Sequence, residues 1–299
     1  MKKHALLLAL ALASGFVLAQ TAPQVSVYGK VREYQESYTA GTASALTRLT
    51  NDSSRLGVKA SADVGEGITA AAVIETGVAM DAPSATTLGD RTSIFSLSNS
   101  LGSLGMGRDK HSVTRVLDNY DAFDNAYGTI ATTIHSAQGS RVQNALFVNT
   151  ASIAGFKGEY VMANSETAGT TNVQTGSISY TLGPVSAMVA RYDDSSTSLS
   201  TIVGGKYKLA STGTTVFGMY SDDKVSSVST NGTSVGISQA IGDRFAVQGT
   251  YGQTNTGVTG RGMGVSYAMN KALTFNARWS YLDAATDINQ YGVGVDFNF

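Results

Sequence analysis

Hydrophobic and polar residues alternate one by one along most of this chain, which is the period of β-strands and not of helices. At the C-terminus Tyr291, Val293, Val295, Phe297 and Phe299 are separated by Gly292, Gly294, Asp296 and Asn298. Leu56, Val58, Ala60, Ala62 and Val64 interleave in the same way with Arg55, Gly57, Lys59, Ser61 and Asp63. Near the start, Val25, Val27 and Val31 face away from Ser26, Lys30 and Arg32. Such segments begin near Val25, Arg55, Ile68, Arg91, Ser103, Ser140, Phe156, Gln174, Val185, Ile202, Thr214, Thr233, Arg244, Gly262, Leu273 and Gln290. The pattern predicts sixteen strands, with fourteen as the alternative count. Val64-Gly65-Glu66-Gly67, Asn231-Gly232 and Ile241-Gly242-Asp243-Arg244 supply turn chemistry between them. From Asp109 to Gly139 the rhythm lapses, and a loop of that length inside a compact fold is usually functional or disordered.

The character of the two faces separates a soluble sandwich from a membrane barrel. A sandwich fills its inner faces with bulk and covers its outer faces with Lys and Glu. Here the polar face is mostly Gly, Ser, Thr, Asn and isolated charges, which suits a water-filled interior with the apolar face turned to lipid. The expectation is therefore an all-β, transmembrane antiparallel β-barrel. Only helices and closed barrels satisfy every backbone group in hydrocarbon. Beyond the N-terminus the longest apolar run is Ala70 to Ile74, far short of a membrane-spanning helix.

Composition agrees. Charged residues make up 14% of the 299, against about 25% in a typical soluble domain. The near balance of 21 Lys+Arg and 22 Asp+Glu argues against a nucleic-acid partner. The absence of cysteine removes disulfide scaffolds, thiolate metal sites and a cysteine nucleophile. Lys2 and Lys3, the apolar run Ala5 to Ala13 and the small-x-small Val17-Leu18-Ala19 predict a cleaved export signal over residues 1–19. Residues 20–299 then form the barrel.

Parity assigns several charges. Arg55 opposes Leu56, Val58 and Ala60, so it points inward if those residues meet lipid, where an arginine would cost about 2–4 kcal/mol. The same holds for Lys30 and Arg32. Arg91 shares the parity of the apolar Phe95 and Leu97, and Arg141 opens a strand where either orientation is open. Asp118, Asp121 and Asp124 recur every third residue, which would place them on one side of a helical turn. Spacing alone does not distinguish a pore-lining row from a solvated face.

Other motifs have a plain reading. Ser221-Asp222-Asp223-Lys224 matches a Ser-x-x-Lys spacing but reads as an exposed turn, and Gly260-Arg261-Gly262-Met263-Gly264 has no following helix to make a phosphate cradle. His111 and His135, in or beside the long loop, read as solvated side chains, with no metal or cofactor expected. Tyr28, Tyr34, Tyr160, Tyr180, Tyr251, Tyr267 and Tyr281 suit interfacial girdles.

Val27-Tyr28-Gly29-Lys30, Ser53-Ser54-Arg55-Leu56-Gly57-Val58-Lys59, Arg91 to Leu97 followed by Leu104-Gly105-Met106-Gly107-Arg108, and the terminal Phe299 together resemble the trimeric general porins of Gram-negative outer membranes, particularly the shorter beta-proteobacterial type. The resemblance implies a sixteen-stranded outer-membrane homotrimer set in lipid and lipopolysaccharide. It implies passive diffusion of small hydrophilic solutes and inorganic ions, no enzymatic activity, and a third loop folded into the lumen. On that reading the loop is Asp109 to Gly139, a basic wall comprises Lys30, Arg55, Arg91 and Arg141 with Arg108 where the loop begins, and Asp118, Asp121 and Asp124 face it across the constriction. The family's Pro-Glu-Phe-Gly-Gly loop stretch is absent. An excess of basic over acidic groups there predicts mild anion preference. A barrel enzyme, an autotransporter's translocating domain and a secreted adhesin are the rival classes.

Overall fold

The computed structural model describes residues 22–82, 87–135, 140–167, 172–194 and 197–299; the expected export signal lies outside them. The first half of the sheet comprises β1 (Gln24–Ala40), β2 (Leu46–Asn51), β3 (Arg55–Gly65), β4 (Ile68–Gly77), β5 (Thr92–Asn99), β6 (Gly102–Lys110), β7 (Arg141–Thr150) and β8 (Phe156–Ala163). The second half comprises β9 (Val173–Leu182), β10 (Val185–Asp193), β11 (Ser198–Leu209), β12 (Thr214–Val225), β13 (Val228–Ile241), β14 (Phe245–Thr254), β15 (Thr259–Ala268), β16 (Leu273–Asp283) and β17 (Ile288–Asn298). Two helices, α1 (Ser112–Tyr120) and α2 (Ala131–Ile134), fall between β6 and β7.

Each strand from β3 onward pairs antiparallel with its successor, and β1 pairs with β17 on one edge. On its other edge β1 pairs with β2 in its second half and with β3 in its first. The segments β2 and β3 are therefore one stave of the wall interrupted at Asp52-Ser53-Ser54, and the ring is a closed sixteen-stranded barrel. Ser53 takes a left-handed φ of 66° at the break. There the Ser54 hydroxyl replaces a ladder partner: the Arg32 backbone N–H donates to Ser54 Oγ at 2.8 Å. Because the expectation treats this stave as starting at Arg55, the Leu46–Asn51 stretch is an addition to it.

Side-chain exposure follows the sequence parity. Phe95 (44% exposed), Val203 (47%) and Val235 (57%) stand outside with Leu56, Val58 and Ile74. An apolar surface of this extent is a membrane face. One turn expectation shifts. Asn231-Gly232 lies within β13, and the hairpin before it turns at Ser226 and Ser227, both at positive φ. The hairpins at Gly65 to Gly67 and at Gly242 turn where the glycines allow left-handed backbone.

The dry core is not between two sheets. It lies where α1 meets the inner face of the barrel: Val113, Val116, Leu117 and Tyr120 pack with Phe147, Val161, Ala190, Ile202 and Met219. Inner positions of β7 to β12 are thus partly apolar, where the expectation is a water-filled interior lined mostly by Gly, Ser, Thr, Asn and isolated charges.

The lipid-facing assignment predicts that Val203→Arg destabilises the inserted barrel by about 2–4 kcal/mol. Urea titration of folding into phospholipid bilayers should show that loss, and an unchanged midpoint would contradict the assignment.

Candidate functional site

The segment after β6 is fastened to the barrel wall along its whole described length. His111 caps α1, its Nδ1 accepting the Thr114 backbone N–H at 3.4 Å. The apolar stripe of the helix covers β9 to β12. Bare positions on the wall let it approach. A Cβ at Gly204 would stand 2.6 Å from Tyr120 Cδ2, and one at Gly264 would stand 2.7 Å from Phe123 Cε1. Further along, Tyr127 stacks on Tyr34 with ring centroids 4.2 Å apart, its N–H donates to Asp52 Oδ2 at 2.6 Å, and its carbonyl accepts from Arg278 Nη1 at 2.9 Å. The final anchor is His135, whose Nδ1 and Nε2 lie 3.0 Å from Ser221 Oγ and 2.7 Å from Ser234 Oγ. Its ring is buried without a charged partner among these contacts, which pushes its pKa down to about 4.

Across from this docked segment, β1, β3 and the ends of the neighbouring strands carry a cluster of cations around a cavity of about 390 Å³. Lys30, Arg32, Arg55, Arg91 and Arg141 line it from the wall and Lys110 from the end of β6, while Asp118 and Asp124 line it from the loop. Behind the cations stand carboxylates that hold them in place. Glu75 on β4 receives Arg91 Nε at 2.8 Å and Arg55 Nε at 3.4 Å, and the Tyr28 hydroxyl also donates to it at 3.1 Å. Asp296 on β17 pairs with Arg32 at 3.1 Å and Lys30 at 3.6 Å. Asp52 completes the set, pairing with Arg32 at 3.3 Å while holding the loop backbone. Arg141 has no carboxylate within 4.0 Å among the described residues; its Nη1 donates to Ser140 Oγ at 3.3 Å. Lys110 pairs with Asp118 at 2.5 Å.

Six of the eight expected residues thus border one cavity: Lys30, Arg55, Arg91, Arg141, Asp118 and Asp124. Arg91 does so despite its parity because it precedes β5, whose alternation starts only at Thr92. Arg108 does not. It pairs in register with Ser93 on the outer face that carries Met106 and Phe95, beside a bulge at Gly107 to Asp109, and its guanidinium donates to the Asp90 carbonyl and to Gln143. Asp121 is also elsewhere. The helix stops at Tyr120, Asp121 takes extended backbone, and its buried carboxylate accepts from the Asn125 N–H and the Thr129 hydroxyl. Such a local side-chain bond competes with helix continuation, so the three-residue aspartate row does not persist. Burial pushes the Asp121 carboxyl upward. Asp124, at a left-handed φ of 54°, projects into the lumen; the surrounding protein raises its carboxyl too, against the pull of Arg278, Arg32 and Lys30.

Arg32, Lys110 and the backing acids Glu75, Asp52 and Asp296 lie outside the expected set. For Arg32 the signal is present, since it shares the parity of Lys30. Other readings change as well. His111 and His135 are buried anchors, not solvated side chains. Ser221 to Lys224 is strand, with Ser221 against His135 and Asp223 accepting from the Ser200 hydroxyl. The inward glycines of β15 face Phe123 and Ile130 of the loop. Tyr28 and Tyr34 face inward, so the girdle reading fails for them. Tyr160 and Tyr251 are outward and exposed, and Tyr180 and Tyr267 tilt against Phe156 and Phe245.

The His135 anchor gives the loop a pH dependence. A base whose folded pKa is depressed stabilises the docked state fully above its ordinary value near 6.5, and that contribution disappears as pH falls through about 4. Proteolysis within residues 111–135 should therefore accelerate between pH 6.5 and 4 while the barrel strands stay protected, and His135→Gln should flatten the profile. Separately, Gly204→Leu should raise loop cleavage at neutral pH without unfolding the barrel, as read by mass spectrometry of the fragments.

The same architecture occurs in known proteins. The profile of the Gram-negative porin family matches residues 5–299. No curated protein sequence matches the chain. Among solved structures, the anion-selective porin from Comamonas acidovorans superimposes with a TM-score of 0.80 at 18% identity, over 93% of this chain and 100% of that one. The trimer form of OmpT, an outer membrane protein of Vibrio cholerae, gives 0.73 at 15% over 93% and 100%. Salmonella typhi OmpF gives 0.72 at 13% over 92% and 97%. At these identities the structures attest the shared barrel fold. With the family profile spanning nearly all of its length, the chain belongs to the Gram-negative porin family.

Proposed function

We propose that this outer-membrane porin is a passive, anion-preferring diffusion channel for ions and small hydrophilic solutes, with selectivity set where the cationic wall faces the docked loop. The observation that carries it is the charge imbalance at that cavity: six cations line it against two carboxylates. Glu75, Asp296 and Asp52 behind them reduce the excess without cancelling it. A permeating anion there exchanges part of its hydration for fixed guanidinium and ammonium groups, while a cation is repelled; the opposed Asp118 and Asp124 give the passage a transverse field that orients polar solutes. The similarity to an anion-selective porin points the same way.

Residues 1–19 serve in this reading as a removable export signal, and three copies associate in a membrane of phospholipid and lipopolysaccharide, as the trimeric form of a structural relative suggests. An enzymatic reading finds its nearest foothold in His135 with Ser221 and Ser234. That ring is 1% exposed, and both its nitrogens face serine hydroxyls, so these contacts include no carboxylate to orient the ring as a base and no route for substrate.

Reversal potentials across a planar bilayer in a KCl gradient test the proposal. The wild type should favour chloride. A unit charge about 8 Å from a passing ion in water is worth about 0.5 kcal/mol, so Arg141→Gln should lower chloride permeability about twofold and raise that of potassium about twofold, reducing the chloride-to-potassium permeability ratio about fivefold. Glu75→Gln should raise it. Cation preference in the wild type, or no response to Arg141→Gln, would refute the assignment, and closure in three equal steps would support a trimer of open pores.

A further inference from the structure

Helix α1 has a second polar side. Thr114 and Asp118 face the cationic cluster, whereas Arg115 and Asn119 line a separate cavity of about 460 Å³ toward the rim of short turns, the periplasmic rim of such a barrel. Three cations reach this cavity. Arg115 is neutralised by Asp109 at 2.8 Å and Glu159 at 3.3 Å. Lys157 on β8 and Lys206 on β11 are not: neither has a carboxylate within 4.0 Å among the described residues, and Lys206 Nζ donates to the Asn119 carbonyl at 3.1 Å.

Between the two lysines lies a wall of hydroxyls. In register, Lys157 stands opposite Ser179, Thr181 opposite Ser186, and Ser186 opposite Lys206. All of them line the cavity. Thr181 Oγ1 and Ser186 Oγ are 3.2 Å apart, and Tyr120 Oη is 3.0 Å from Ser186 Oγ. Each hydroxyl keeps unused capacity, since it has one proton to give and two lone pairs to offer. Three strand spacings across and two residues along the strands separate the lysine backbones, about 16 Å, and two four-carbon stems leaning inward leave room for a short chain between the ammonium groups.

We propose that this cavity is a binding station for linear polyhydroxylated dicarboxylates, aldarate-type solutes with a carboxylate at each end and hydroxyls between. One carboxylate meets Lys157, the other meets Lys206, and the solute hydroxyls exchange hydrogen bonds with Ser179, Thr181 and Ser186. The station rests on the channel reading above, being reached through the same lumen, and it differs from the cationic cluster in pairing separated charges with an uncharged polar wall. A diffuse positive field would not distinguish dianions by what lies between their ends.

D-glucarate is the probe, with adipate (equal charge and length, no hydroxyls) and sorbitol (hydroxyls, no charge) as comparisons. In single-channel recordings of the whole protein, glucarate should reduce chloride current with saturation, and its apparent Kd should be at least about fivefold below that of adipate, a margin one or two hydrogen bonds supply. Lys157→Gln and Lys206→Gln should each weaken it about tenfold, the scale of one charge-assisted contact. Lys59→Gln, on the inner wall outside this cavity, should leave it unchanged. Equal affinity for glucarate and adipate, or equal losses in all three variants, would overturn the station. Saturation-transfer NMR on detergent-solubilised protein reads binding without current. A silent bilayer with lysine-dependent NMR binding would sink the channel reading and leave the station standing, whereas normal conductance with no lysine-dependent glucarate signal would do the reverse.

Discussion

Every backbone N–H and C=O that enters hydrocarbon must find a partner within the protein, and the closed ring of strands is how this chain meets that demand. Its closure depends on β1, which pairs with β17 on one edge and with the interrupted stave β2 and β3 on the other. The last residue completes the seam, Phe299 and Gly29 exchanging backbone hydrogen bonds at 2.9 and 3.1 Å. The Phe299 ring lies where a side chain at position 29 would otherwise stand, 2.2 Å from a Cβ built there. Once the ring is closed, each residue has only two directions available. Strand parity then becomes a statement about solvent: Leu56 meets lipid because Arg55 meets water.

Inside the ring the wall is divided into two unlike arcs. Strands β7 to β12 present Val161, Ala190, Ile202 and Met219, and these take the apolar stripe of α1 out of water. Strands β1 and β3 with their neighbours present arginine and lysine, kept upright by Glu75, Asp296 and Asp52. The segment between β6 and β7 joins the arcs, packed on one and charged toward the other. Asp52 couples them directly, since one carboxylate both pairs with Arg32 and holds the Tyr127 backbone. Electrostatic selectivity therefore rests on a packing event: without Val116 and Tyr120 seated over Gly204, Asp118 and Asp124 would not be presented to the cations.

Much of this architecture is legible in the order of the residues. Thirteen of the sixteen staves begin within three residues of where alternation starts, and Lys30 and Arg55 point inward as parity requires. The gaps have specific physical causes. Parity does not orient Arg91, because a residue just outside a strand is free of its alternation. Arg108 departs from the wall assigned to it by resemblance because it shares the parity of the outward Leu104 and Met106, so alternation itself sets it on the outer face. The aspartate row breaks because Asp121 bonds its own loop in place of continuing a helix. Glu75 and Asp296 escape notice because an acid behind a cation, separated from it by many residues, has no local signature.

The chain's own pattern determined a closed membrane barrel, its inner and outer faces and the basic character of one wall, because alternation with period two and the cost of charge in lipid are properties of residues close together in sequence. Only the tertiary structure decided which acids stand against which cations, that His111 and His135 are buried anchors, and where the loop lies. Those outcomes depend on strands remote in sequence converging in space: Ser221 and Ser234 gathering around His135, and bare glycines on β11 and β15 opening room for Tyr120 and Phe123.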